Sequence, residues 1–169
     1  MKQNSISHKQ PRDKAAVPKI PRACGECTAC CEGYLEGCVY GHHFYLGRPC
    51  HFMKPGGCSI YEDRPVEPCR RFKCVWLTDD ILPAWFRPDK SNVIVTWESW
   101  GPNKNLPYLK ATERGVKIDS AVLNLLYMYH VETRTPITVQ IDRGWSHYGP
   151  FEFVEEMKRI SPPSPQGHL

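Results

Sequence analysis

Cys24-Gly25-Glu26-Cys27-Thr28-Ala29-Cys30-Cys31 is the stretch on which the reading of this chain turns. Two residues between cysteines let a tight turn aim both sulfurs at one ion. A third cysteine three positions on extends the wrap, as in cluster-binding loops. Cys30 and Cys31 pose a separate problem, because adjacent side chains diverge. Either one of the pair is a spectator, or two metal sites or a multinuclear cluster share this knot.

A second knot follows. Cys50-His51 precedes Cys58-Ser59-Ile60-Tyr61-Glu62-Asp63-Arg64-Pro65, and Cys69-Arg70-Arg71-Phe72-Lys73-Cys74 closes the run. Gly56-Gly57 lets the chain bend sharply before Cys58, and the spacing of Cys69 and Cys74 suits one loop or helical turn. All nine cysteines of the 169 residues fall between Cys24 and Cys74. Disulfides would explain such density in a small secreted domain. Here the number is odd and the first twenty residues lack a continuous apolar stretch, so thiolate ligation in a reducing, cytoplasmic setting is the expectation. Eight cysteines in two sets of four is the simplest arithmetic. Sites of that kind carry net negative charge, which Arg64, Arg70, Arg71 and Lys73 lie where they could offset.

These residues carry a resemblance. The string C-x-x-C-x-x-C-C, then a cysteine ahead of Gly-Cys-Ser-Ile-Tyr-Glu-x-Arg-Pro, then Cys-Arg-x-Phe-x-Cys, resembles the YkgJ-like or CxxCxxCC family of bacterial zinc- or iron-chelating cysteine-cluster proteins. The likeness covers about residues 24 to 74. It implies Cys24, Cys27, Cys30, Cys31, Cys50, Cys58, Cys69 and Cys74 as metal ligands, holding zinc or iron, the latter including a 4Fe-4S cluster. Cys38 has no counterpart in the pattern and is left as a spare thiol or alternative ligand. One branch is similar to flagellin lysine N-methylases, which are much longer; no Gly-rich loop after a strand is present here to cradle a methyl donor.

Around the knots, the chain reads as an α+β domain. Residues 1–21 form a basic tail expected to be disordered: the first 22 residues hold six of the 22 cations and one of the 18 acids. Removing them leaves 16 cations against 17 acids, so the body is near neutral and nucleic-acid binding is not expected. Residues 22–76 are the cysteine module, rich in glycine and proline and expected to be irregular, with metal supplying folding energy. Residues 77–160 form a strand-strand-helix-strand-helix layer on which it docks.

In that layer Val93–Trp97 and Tyr108–Thr112 read as strands of a hairpin turning at 101–105. Asp119 caps a helix whose Val122, Leu125, Leu126 and Tyr129 share a face. Ile137–Asp142 alternates as a half-buried strand, and a last helix starts near Pro150, with Glu152 in its first turn and Lys158 and Arg159 in its last. Residues 161–169 are a flexible tail. No run of eighteen apolar residues suggests a membrane span.

The remaining chemistry-bearing residues have plain explanations. His42-His43 beside Gly41 reads as a solvated loop and His51 as a neighbour of Cys50. His130 suits a helix carbonyl end. Trp76, Trp85, Trp97, Trp100 and Trp145 read mainly as core. No spacing joins Glu98, Asp142 and His147 into an acid–base set, so catalytic residues are not assigned. Three function classes remain: a metal or cluster protein, a metal-dependent protein-modifying enzyme of the lysine N-methylase kind, and a zinc-stapled interaction module.

Overall fold

A computed structural model describes residues 22–142 and 144–161. The expected tails, 1–21 and all but the first residue of 161–169, lie outside the described residues. The fold mixes helices with several sheets, as the α+β expectation had it.

The cysteine stretch is less irregular than its composition implies. It contains two small antiparallel hairpins, β1 (Gly37–Val39) with β2 (His42–Phe44), and β3 (Met53–Lys54) with β4 (Gly57–Cys58). A 3₁₀ turn at Ala29–Cys31 precedes them and a kinked helical turn at Val66–Arg70 follows. Phe44 and Val39 are buried in a small core of their own together with Cys50.

From Cys74 the chain enters α1 (Val75–Thr78), then α2 (Pro88–Ser91), which leads into a four-stranded sheet. β5 (Val93–Trp100) and β6 (Leu106–Glu113) form the expected hairpin, β5 running three residues further into the turn and β6 longer at both ends than the apolar runs. α3 (Ser120–Thr133) starts as expected at Asp119, whose carboxylate accepts the Ala121 N–H at 2.7 Å. α3 then returns the chain so that β7 (Ile137–Ile141) pairs parallel to β6. β8 (Gly144–Tyr148) adds an antiparallel edge before α4 (Phe151–Ile160), with Pro150 just ahead of it. The expected layer therefore needs one correction: a strand stands between Ile141 and the last helix. Gly144, Ser146 and His147 dilute its apolar signal, and it is held as an edge by pairing with β7.

Strand alternation divides the sheet into two unlike faces. Val93, Val95, Leu109, Ala111, Ile137 and Val139 face one way and share a core with Val122 and Leu126 of α3. The opposite face is polar along its middle: Thr96 and Glu98, Lys110, Thr138 and Gln140, with Trp145 and His147. α4 covers one end of that face, where Phe153 and Met157 pack on Trp100 and Tyr108. At the other end Ile94 joins a core with Ala29, Cys74 and Val75.

That shared core ties the cysteine stretch to the sheet, and polar contacts reinforce it. The Arg114 guanidinium grips both carboxylate oxygens of Glu32, and Arg22 donates to the Trp76, Asp79 and Leu82 carbonyls. Of the tryptophans, Trp76 and Trp100 are core, Trp145 is half-buried, and Trp85 and Trp97 stand outside it. Among the described residues no helix is long and apolar enough to cross a membrane.

Candidate metal centre

Cys24 and Cys27 close the first turn, the Cys27 N–H donating to the Cys24 carbonyl at 2.9 Å. The next turn has the Cys31 N–H on the Thr28 carbonyl at 2.7 Å, which leaves Cys30 Sγ and Cys31 Sγ 3.9 Å apart. Cys50 is pinned to the same knot across nineteen positions of chain: its N–H donates to the Cys31 carbonyl at 2.8 Å, and its own carbonyl accepts from Met53 at 3.0 Å. Met53 in turn faces Cys58 in the second hairpin. Cys74 stands at the start of α1, with the Leu77 N–H on its carbonyl.

All eight cysteines implied by the resemblance line one cavity of about 970 Å³, and Cys38 does not line it. Cys38 is exposed on β1 opposite His43. All nine thiols are free.

Backbone amides converge on several of these sulfurs. Ala29 and Asp89 donate to Cys27, Phe52 and Met53 to Cys50, and Trp76 and Leu77 to Cys74. Such bonds favour a thiolate. Burial is the larger effect and pushes Cys27, Cys50, Cys69 and Cys74 up, with neighbouring cysteine charges adding to it. Cys31 is the exception, drawn down to about 7 by its hydrogen bond from Cys30 and then by the Arg64 charge. Cys30 is pushed up by the same bond and by burial.

The basic residues are sorted by the fold. Arg64 lies where its charge acts on Cys31 and Cys69, held by its Nε bond to the Tyr61 carbonyl and stacked 3.5 Å over the Tyr61 ring. Arg70 instead donates to the Glu62 carbonyl, and Arg71 pairs with Glu67 in solvent. The sequence reading missed Arg87. This residue makes a two-pronged pair with Asp89 beside Cys27, and only the tertiary fold brings positions 27 and 89 together.

Soft sulfurs, amide donors aimed at them and two nearby guanidinium groups fit a thiophilic ion or cluster. Among the described residues, however, no three His, Cys, Asp or Glu side chains stand close enough to hold one ion as they are. One χ1 step swings a cysteine sulfur by roughly 3 Å. His42 and His51 stack with ring centroids 4.0 Å apart and planes 8° from parallel. Their in-plane lone pairs run side by side, a poor arrangement for sharing an ion. Glu98 and His147 share the polar sheet face on its opposite edges, while Asp142 sits in the turn between β7 and β8 with φ of 51°.

No family model, no curated protein and no solved structure matches this chain.

Proposed function

We propose that this is a metal-binding protein that holds zinc or iron, including iron as an iron–sulfur cluster, through the thiolates of Cys24, Cys27, Cys30, Cys31, Cys50, Cys58, Cys69 and Cys74. The observation that carries the reading is the cavity: those eight sulfur-bearing residues line it from six separate elements and loops, and the ninth cysteine is left outside. Burial disfavours lone thiolates, so eight thiols gathered in one partly buried space are best explained by a shared positive partner. The motif resemblance to the zinc- or iron-chelating cysteine-cluster family points the same way. A reducing, cytoplasmic compartment follows, since such thiols would otherwise cross-link.

Metal analysis and absorption spectroscopy of protein purified anaerobically with ample iron test this reading. Stoichiometric zinc, or iron with acid-labile sulfide, is the expected result. A reduced, metal-free chain that keeps native near-UV circular dichroism and amide protection from 24 to 74 would overturn it.

One observation favours a metal-dependent modifying enzyme as the second reading. The cavity runs on past the sulfurs over the polar sheet face, along Thr96, Glu98, Lys110, Thr138 and Gln140. It has the size of a small-molecule site, and a ligand there would lie beside the metal. Exchangeable coordination separates the two readings. If added imidazole or a small thiol shifts the visible bands of the cobalt-substituted protein, the position is open and the enzyme reading gains; closed four-sulfur sites leave the bands unmoved.

A further inference from the structure

We infer that the cysteines form two separate four-sulfur sites whose border is the peptide bond between Cys30 and Cys31. Cys24, Cys27, Cys30 and Cys74 make a sheet-side site, and Cys31, Cys50, Cys58 and Cys69 make a hairpin-side site. The inference rests on the metal-binding reading above and deepens it.

The separation of the adjacent sulfurs does not decide the matter. At 3.9 Å they would suit two ligands of one ion, because sulfurs on a tetrahedral zinc with bonds near 2.3 Å stand about 3.8 Å apart. Their surroundings decide it. Cys27 and Cys74 pack into the sheet core with Ala29 and Ile94, whereas Cys31, Cys50 and Cys69 pack into the separate hairpin core around Val39 and Phe44.

Backbone connections divide in the same way. The Cys24–Cys27 turn is closed on itself, while Cys31, Cys50 and Cys58 are linked in series through the Cys50 N–H and the Met53 pairing. The charges that reach the sulfurs away from the border sort in the same way: Cys74 feels Cys24 and Cys27, and Cys69 feels Cys31, Cys50 and Cys58, while Cys30, at the border, feels Cys31 first and then Cys24 and Cys27. Each set also has its own guanidinium, Arg87 by Cys27 and Arg64 by Cys31 and Cys69. Two four-thiolate sites with divalent ions would repel each other across the border, and the Arg64 charge lessens that repulsion, whereas Arg87 is already paired with Asp89.

The adjacent pair thereby acquires a use. A Cys-Cys step is the shortest way to give one sulfur to each of two abutting sites.

The test uses the full reduced chain loaded anaerobically with isotopically enriched cadmium. Heteronuclear correlation then connects each cadmium resonance to the β-protons of its cysteines. Two resonances are expected, one correlated with Cys24, Cys27, Cys30 and Cys74, the other with Cys31, Cys50, Cys58 and Cys69. Cys58→Ser should remove the second and keep the first. One resonance, or Cys30 and Cys31 on the same ion, overturns the partition while leaving metal binding intact. A chain that takes up no cadmium overturns the metal reading itself, and the partition with it.

Discussion

Arg114 reaches Glu32 across 82 positions of sequence, and its Nε and a terminal N–H each donate to a different carboxylate oxygen. Both side chains are only 20% exposed, and the carboxyl of Glu32 is held below its usual range, first by Arg114. Glu32 directly follows the two adjacent cysteines, and Arg114 follows the last residue of β6. The pair is thus a polar rivet between the cysteine stretch and the sheet.

Arg114→Ala should therefore weaken the seating of the knot on the sheet, since the carboxylate loses its two-pronged partner. A cost of roughly 1 to 3 kcal/mol is expected. It should appear as a lower urea midpoint, with faster amide exchange concentrated at 24–50. An unchanged midpoint would show that the apolar contact of Ala29 and Ile94 suffices alone.

Gly33 and Gly41 offer a matched comparison, because φ is near +86° at both, 88° and 84°. A Cβ at Gly33 would stand 2.5 Å from the Tyr45 carbonyl oxygen, whereas one at Gly41 meets nothing within 4 Å. Gly41→Ala should cost about 1 kcal/mol from the left-handed backbone alone. Gly33→Ala should cost clearly more, because the obstacle is backbone and cannot rotate away. Equal melting temperatures for the two variants would contradict the close approach of the 45–48 turn to the knot.

His147 lies on the polar sheet face with its Nδ1 3.1 Å from the Thr138 hydroxyl. Burial first, and the Lys158 charge second, hold its pKa below the usual value. The folded state therefore prefers the neutral ring, and the unfolded chain takes up the proton more readily. Stability from this residue is fully present above the ordinary histidine pKa of about 6.5 and is lost as pH falls towards the depressed folded value. A proton NMR titration should place His147 below the ordinary histidine value of about 6.5. His147→Gln should flatten part of the stability loss on the acid side of pH 6.5.

Chelation should separate the two halves of the molecule. Removing metal should free the amides of Cys27, Cys31, Cys50 and Met53, whose bonds lie within the knots, while β5 to β7 keep their protection. Most of the apolar core under the sheet comes from the strands and α3, with Val93, Val95, Leu109, Ala111, Ile137, Val139, Val122 and Leu126, although Ala29 and Cys74 join it from the cysteine stretch. Hydrogen exchange with mass spectrometry reads both regions at once, and simultaneous loss of sheet protection would show one cooperative unit.

Much of the sheet was legible in the sequence because its signals are local. The 101–105 turn flanked by β-branched and aromatic runs marks the β5–β6 hairpin, and Asp119 ahead of a spaced apolar face marks α3. β8 was not legible: Gly-Trp-Ser-His-Tyr has no apolar alternation, and only pairing with β7 makes it a strand. The cysteine pattern marked which residues gather but not their neighbours. Arg87 beside Cys27 and Arg114 on Glu32 are brought together by tertiary contacts between positions far apart in sequence, which no spacing rule encodes. Arg70 and Arg71 were the converse error, since proximity in sequence to Cys69 did not aim them at sulfur.

Cys74 senses the charge of Cys24 and lines the same cavity, so the first and last residues of the cysteine stretch share one space although some fifty positions separate them. An ion bridging them would act as a drawstring on everything between. Closing a ring of that length removes chain freedom worth about 4 kcal/mol from the unfolded state. The four hairpin-side cysteines all fall within that ring, so the two closures nest as brackets within brackets. Each ring is tied by its own ion, so either can open while the other stays closed, and the outer tie constrains only the short stretches 24–31 and 69–74 beyond what the inner one already holds.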